Sequence, residues 1–477
     1  MFSRVLLAFA PAFLVPLAWA LFLDAHQHAL VWTYGFALTA ASGLLLWQCT
    51  KRHRRELQTR DGFLLVNLVW MVLPVYAAVP LLFTVPDIGW TKAYFEAMSA
   101  LTATGATALS GLDALPVSVN VWRCFLQLVG GLGIILLVVA VLPLLGLGGM
   151  QLYRAEAPGP LKDTRLTPRI ADTARGLWTV YFVLSGACLL AYRWAGMSWA
   201  DAFMHMCTTM GLGGFSSHDA SFGHWNSPKI EAVATVFMAL AGVSFMRYFI
   251  VLRQRSLRPL THDREIRTYV SVLVVSILLV AILLDAHGVI DSFPEALRTS
   301  AFHVVSLATT TGYASTDYAQ WPVFAPVLLM FLGCFVSCAG STGGGIKLVR
   351  MVLLVKQAQR ELVRIVHPRV VNPVTLGGAI MPASVMTAVL GFMLIYGAAT
   401  MGLTMVLLFT GLDIVTAFSA VVATVNNIGP GLGEVGPASN FGVLNSFQIW
   451  VLAFAMLLGR LELLTVLVLF TGHFWRK

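Results

Sequence analysis

Ten mostly apolar stretches, at about 5–23, 29–49, 63–85, 121–148, 177–197, 230–252, 269–284, 323–355, 376–410 and 446–472, alternate with polar segments along the chain. Each reaches or nearly reaches the roughly twenty residues that a helix needs to cross a bilayer, so the pattern predicts ten spanning helices. Shorter apolar segments, too brief to cross, lie between certain pairs. Each of these runs into one of four related phrases: TATGAT (102–107), GLGGFS (211–216), TTTGYA (309–314) and NNIGPG (426–431). Glycine stands fourth in every copy. Those glycines, Gly105, Gly214, Gly312 and Gly429, lie 109, 98 and 117 residues apart, an internal repeat that accounts for most of the chain.

Aligning the phrases on their glycines sets Glu96, His205, His303 and Ala420 nine residues upstream, and Ser99, Thr208, Ser306 and Ala423 six upstream. Three of the loops contain a capping-box pattern, Ser198-x-x-Asp201, Ser292-x-x-Glu295 and Thr410-x-x-Asp413, which predicts a helix start 16 to 20 residues before the glycine. Each loop is therefore expected to be a short helix ending in a turn. Four such helices that stop at mid-membrane aim their negative ends at a common centre and make a site for a cation. Non-helical backbone at that depth must be buried in protein or line water. Glycine permits the backbone angles that turn carbonyls inward without a side chain in the way, and rings of carbonyls can replace the hydration shell of a monovalent ion. Glycines also serve close helix packing, but four at regular spacing, each after a half-length helix, favour a filter. Its expected members are Thr104, Gly105, Gly213, Gly214, Thr311, Gly312, Ile428 and Gly429, with Thr102, Ala103, Leu212, Thr309, Thr310, Asn426 and Asn427 as neighbours. The fold class that follows is an all-α polytopic membrane protein. A two-helix unit (1–60) precedes four pseudo-symmetric helix, pore-loop, helix repeats (61–150, 151–255, 256–372 and 373–477) around a central cation pore.

Composition agrees: 58% of the residues are hydrophobic, 11% are charged and the mean hydropathy is +0.80, whereas a soluble globule carries about a quarter charged residues. With the amino terminus inside, 25 of the 31 Lys and Arg fall in cytoplasmic segments, and only Lys92, Arg123, Arg193, Lys229 and Arg298 fall outside. Both termini are thus expected in the cytoplasm, and the net charge of +9 reads as this topology signal with some attraction to membrane lipid, not as nucleic-acid binding. No small-residue cleavage site follows Leu23, so the first span is expected to stay in the mature protein. The basic, proline-containing linkers 149–171, 253–268 and 356–375 are expected to be cytoplasmic connections, none long enough for a nucleotide-binding domain. All six cysteines are expected to be buried and unpaired: Cys334 and Cys338 share a helical face but lack further ligands for a metal.

The phrases SALTATGATALSG (99–111), GLGGFSSHDASFG (211–223), SLATTTGYAST (306–316), GSTGGGIKLVR (340–350) and TVNNIGPGLGEVGP (424–437) resemble those of the Trk/Ktr/HKT superfamily of potassium transporters, most closely its bacterial TrkH/TrkG type, over nearly the whole chain. The resemblance implies potassium uptake across the bacterial inner membrane, potassium being the bound and transported ion. It also implies a homodimer gated by a cytoplasmic ring of RCK subunits of the TrkA type, nucleotide acting only through that partner. Family members with serine at the first filter glycine tend to favour sodium; here that position is Gly105. The fourth loop departs from the pattern, with Pro430 after Gly429 and two asparagines for threonines, and is expected to be the looser quarter. A less selective, or sodium- or proton-coupled, symporter of the same superfamily is the alternative.

Two features read as control. A single helix over 323–355 would run roughly 50 Å, beyond a bilayer core of about 30 Å, and the glycine-rich stretch Gly340, Ser341, Thr342, Gly343, Gly344 and Gly345 is expected to interrupt it. The resemblance makes this an intramembrane gate, with Lys347 just beyond. A phosphate loop fails on spacing, because Ile346 separates the last glycine from the lysine and Leu348 takes the hydroxyl position. Arg460 is expected about twelve residues from each end of the last span, too deep to reach water, and Glu462 points elsewhere on the helix. The resemblance implies a pore-facing guanidinium that can contact the gate; pairing with backbone inside the bundle is the alternative. His205 and His303 are expected to bond neighbouring backbone, with proton coupling the less favoured role. Asp201, Glu295 and Asp413 are expected to be helix caps, and Asp219 and Glu434 to enrich cations at the mouth. An intramembrane enzyme using Glu96, His205 and His303 would lack a nucleophile and a metal pattern, and would leave the four glycine turns unexplained.

Overall fold

The computed structural model describes residues 1–24, 26–52, 58–136, 170–376 and 379–476. The end of the span expected at 121–148, the linker 149–171 up to residue 169, the boundary at 150 and part of the basic segment 51–60 lie outside the described residues. Six described helices are long and apolar enough to cross a membrane: Phe2–Leu23, His28–Thr50, Arg60–Thr84, Thr173–Ala195, Arg264–Ala286 and Ala383–Phe409. They correspond to six of the ten expected spans. Val117–Leu136 is the described part of a seventh.

The other three expected spans are broken, and only one break was legible. The stretch 323–355 divides into Phe324–Phe335 and Leu348–Val366 on either side of the glycine-rich segment. The stretch 230–252, expected as one helix, is Pro228–Ala241 and Phe245–Gln254, bent by 83°. The stretch 446–472 is Ser446–Arg460 and Leu464–Phe470, bent by 109°. The apolar runs continue on both sides of each bend, so a hydropathy average over the run does not mark them.

Between the long helices stand four short ones, Gly89–Leu101, Trp199–Gly211, Phe293–Ala308 and Ile414–Val425, of 13, 13, 16 and 12 residues. At 1.5 Å per residue they reach roughly 18–24 Å, too short to span. Their carboxyl-terminal halves are buried on all sides. Ser198 caps the second as expected, its Oγ accepting from Asp201 N at 3.0 Å. Ser292 makes no side-chain cap bond. Thr410 ends the preceding helix instead of starting one, and Asp413 caps Ile414–Val425 by accepting from Thr416 N at 3.0 Å.

The amino-terminal helices dock on the first quarter. Asp24 accepts from the backbone of Val117 and Ser118 at 3.0 and 2.9 Å, so a carboxylate caps the start of Val117–Leu136. Phe13 and Trp32 pack on Trp122 of that helix at ring separations of 4.5 and 5.6 Å. Among the described residues the strands are one short pair, Thr375–Leu376 with Ala379–Ile380. Cys49, expected to be buried, is exposed.

Candidate functional site

All four phrases fold alike. The residue before the glycine donates its N–H to the carbonyl five positions back: Thr104 to Ser99 (2.9 Å), Gly213 to Thr208 (2.9 Å), Thr311 to Ser306 (2.8 Å) and Ile428 to Ala423 (2.8 Å). The glycines take φ of 86°, 75°, 84° and 105°. Two residues earlier, Ala103, Leu212, Thr310 and Asn427 are also left-handed, at 50°, 51°, 63° and 53°. A left-handed non-glycine costs roughly 1–2 kcal/mol, so surrounding packing holds each one there. The sequence pattern gave no hint of these four.

The glycines close a ring. A methyl group built on Gly105 would lie 2.0 Å from Gly213 O, one on Gly214 1.9 Å from Thr311 O, one on Gly312 2.0 Å from Ile428 O, and one on Gly429 2.9 Å from Thr104 O. Each quarter's glycine thus lies against the carbonyl that precedes the glycine of the next, and the fourth meets the first. Four segments separated by about a hundred residues converge. Gly105, Gly214, Gly312 and Pro430 also line one open vestibule.

Side chains behind the ring tie neighbouring quarters together. Arg123, expected in an outside segment, lies within Val117–Leu136 and is 1% exposed. Its Nε donates to Glu96 at 2.7 Å, and its Nη1 to Asn120 and to Ser216 O at 3.0 and 3.2 Å. Glu96 also accepts from Thr107 Oγ1 and Ala108 N at 3.0 Å each. This pair binds the first short helix to the segments leaving the first two glycine turns, and it leaves Glu96 no acid–base task. Gln127 Nε2 donates to Gly213 O at 2.9 Å. Between the second and third quarters, the Tyr313 hydroxyl bonds Thr208 and Thr209 and donates to His205 O at 3.3 Å. In the fourth loop, where the approach to the next carbonyl is the widest of the four at 2.9 Å, Asn426 and Asn427 are fully buried, Asn426 Nδ2 donates to Val422 O at 2.8 Å, and Asn427 Nδ2 donates to Thr104 Oγ1 at 2.9 Å. Thr102 and Thr309 bond the hydroxyls of Thr104 and Thr311 at 2.7 and 2.8 Å.

His205 and His303 have local partners, as expected. Their Nδ1 atoms face the carbonyls of Asp201 and Thr299 at 2.9 and 2.8 Å, and their Nε2 atoms meet Ser216 Oγ and Ser315 N.

The glycine-rich segment lies against the carboxyl ends of the short helices and the glycine turns that follow them. Gly344 N donates to Thr310 Oγ1 at 2.8 Å, and Thr342 Oγ1 to Met210 O at 3.0 Å. A methyl on Gly344 would lie 2.1 Å from Asn426 O, and one on Gly343 2.9 Å from Thr309 O. The second, third and fourth quarters therefore touch it. The bend at 242–244 closes on the same segment, with Phe245 N donating to Gly340 O and Cys338 N to Gly242 O, both at 3.1 Å. Ser341 Oγ turns back to Cys338 O at 2.8 Å. Gly345 is left-handed (φ 78°), and Ile346, which follows it, donates its N–H to Cys334 O at 2.7 Å.

Arg460 is not at the middle of a span; it is the last residue of Ser446–Arg460, where the chain turns. It is 3% exposed and donates from Nη1 to Thr342 O and from Nη2 to Gly130 O, each at 2.9 Å. Lys347 Nζ donates to Gly343 O. Two cations thus hold adjacent carbonyls of one segment. Glu462, as expected, does not pair with Arg460; its partner is Arg350.

The vestibule is open to one side, and its lining includes Asp219 and His218. Its rim joins the first and second quarters: Asp219 N donates to Asp113 Oδ2 at 3.2 Å and Leu112 N to Asp219 Oδ2 at 3.0 Å. Glu434 is held beside the fourth pore helix, its N–H donating to Thr416 Oγ1 at 3.1 Å. Glu295 is exposed and pairs with Arg298 at 3.4 Å. Burial disfavours the charged form of His218, but hydrogen bonds to the Asp201 and Asp113 carboxylates outweigh it and hold its pKa above the ordinary histidine value.

A family model described as TrkH, a cation transport protein, matches residues 28–477. The chain is 45% identical to the Trk system potassium uptake protein TrkH of Salmonella typhimurium over 446 residues, 93% of this chain and 92% of that one. It is 39% identical to the Trk system potassium uptake protein TrkG of Escherichia coli K12, covering 97% and 95%. The crystal structure of the potassium transporter TrkH from Vibrio parahaemolyticus superposes with a TM-score of 0.91 at 41% identity, covering 99% of this chain and 98% of that one.

Proposed function

The chain belongs to the TrkH family of cation transport proteins, a family of transporters and not of enzymes, and from that premise we propose that it takes up potassium across the bacterial inner membrane through a pore whose filter is the ring of four glycine turns. The observation that carries this reading is the closed cycle of glycine-to-carbonyl approaches. Thr104, Gly213, Thr311 and Ile428 supply the carbonyls that stand in for water around the ion, and Gly105, Gly214, Gly312 and Gly429 leave them room. The ends of four buried half-helices add negative potential where the ion sits.

Residues 340–345 are the gate in this reading. The segment lies against the filter turns, and Arg460 and Lys347 hold its carbonyls. Their charges add a barrier to cations until the segment moves. The repeats 61–150, 151–255, 256–372 and 373–477 are the four quarters, 1–60 is an added unit, and both termini are cytoplasmic. Leu348–Val366 continues from the gate into a helix whose Arg360 and Arg364 are exposed or partly so. It is the element through which a nucleotide-binding RCK partner, acting on a homodimer, would pull the gate.

Purified protein in liposomes tests the reading by uptake of rubidium, which serves as a surrogate for potassium. Uptake is expected in the native protein and lost in Gly312→Asp with the fold retained. Equal uptake by the two proteins rejects the filter.

A further inference from the structure

Outside the filter, Asp113, His218 and His224 bring one carboxylate oxygen and two imidazole nitrogens within 4.8 Å of one another. Asp113 lies in the short turn Leu112–Ala114 after the first filter phrase, and the two histidines follow the second. His218 Nδ1 bonds Asp113 Oδ1 directly, and His224 Nδ1 lies 4.0 Å from the same oxygen. The imidazoles stack at 3.5 Å, 6° from parallel, and Trp225 stands edge-on to both at 5.0 Å. Nothing in the ion pathway as read above uses this cluster.

We propose that Asp113, His218 and His224 form a binding site for a borderline divalent transition cation, zinc above all, and that its occupation slows cation passage through the vestibule. Two histidines and a carboxylate are a zinc donor set, with the fourth tetrahedral position left to water. Ligands at about 2.0–2.1 Å from a tetrahedral zinc stand roughly 3.3 Å apart, and because a metal lies in the plane of each imidazole it binds, the exposed His224 ring must swing out of its stack on His218 for the three donors to close on an ion. Magnesium and calcium prefer all-oxygen shells and are poorly matched by two nitrogens. The location supplies the effect. His218 is four residues beyond Gly214 and lines the vestibule that Gly105, Gly214 and Gly312 share, so a bound divalent ion places positive charge where potassium must enter. It would also lock the rim, since its ligands come from the loops of two quarters.

The effect on transport rests on the function proposed above, whereas the binding does not, and one set of measurements separates them. Rubidium uptake without added metal tests the pore alone. Zinc chloride titrated calorimetrically into the purified native chain is expected to bind once per chain, and His224→Ala to weaken that binding by at least about tenfold, with millimolar magnesium giving no signal. Zinc on both faces of the liposomes should then slow native uptake, and His224→Ala, compared with its own zinc-free rate, should need correspondingly more zinc. Equal zinc affinity in the two proteins overturns the site, and undiminished native uptake with the site saturated overturns the block.

Discussion

The Asn427 side-chain amide donates to the Thr104 hydroxyl at 2.9 Å across 323 residues of sequence, joining the last of the four glycine turns to the first. Asn427 also donates to Met456 O at 3.2 Å, so the same amide anchors the turn to the helix behind it. Asn427→Leu would leave two buried acceptors without their donor, at about 1–3 kcal/mol. Selectivity for potassium over sodium should fall, because the carbonyl of Ile428 loses its fixed position. The reversal potential with potassium on one side and sodium on the other reads this directly; an unchanged potential would mean that Asn427 does not set the ring.

Gly105→Ser adds a Cβ where only 2.0 Å separates it from Gly213 O, at a backbone angle that L-residues rarely adopt. The Gly213 carbonyl must move aside, and its tie to Gln127 Nε2 at 2.9 Å must stretch. Potassium preference is expected to drop relative to the native protein, with sodium gaining. Competition of sodium against rubidium uptake checks this, and a native competition curve would remove Gly105 from the filter.

Deleting residues 343–345 is expected to raise the basal rate of rubidium uptake, since it removes backbone that presses on the third and fourth glycine turns. Arg460→Gln should act in the same direction more weakly, because it releases Thr342 O and Gly130 O while Lys347 still holds Gly343 O. Slower uptake by both variants at equal protein level would count against a gate.

The pairing of Glu96 with Arg123 is structural. Glu96→Gln strands a guanidinium that is 1% exposed, and breaking such a pair from one side costs about 3–5 kcal/mol. The thermal midpoint in detergent should fall well below the native value. Glu96→Gln combined with Arg123→Met should recover part of the loss, and a double variant no better than the single one would show that the two charges do not depend on each other.

The six unbroken spans, the four half-helices and the four glycines were legible because each is written locally. Length of apolar run sets a span, an early stop sets a half-helix, and the demand for a left-handed turn without a side chain sets a glycine. The bends at 242–244 and after Arg460 were not legible, because the length of an apolar run reads the same whether straight or folded back, and the charges Arg460 and Glu462 read equally well as buried polar groups within a continuous helix. Arg123 was misassigned for a related reason: a lone charge near the end of a run resembles a loop residue until Glu96, 27 positions away, is brought beside it. The capping pattern at Thr410 matched a motif, but the helix began at Asp413, where the preceding helix left room for it.

By itself the sequence determined the kinds of element and where the special backbone had to fall, since those follow from hydrophobic length and from what glycine alone permits. Tertiary structure alone decided that Ala103, Leu212, Thr310 and Asn427 would be forced left-handed, that Arg460 would clasp Thr342 and Gly130, and that Asp113 would meet two histidines more than a hundred residues on. Those outcomes depend on which distant carbonyls and carboxylates are delivered beside one another, at the filter turns and at Arg460 in places where water is not available to satisfy them, and no stretch of sequence carries that information until the four quarters have closed on one another.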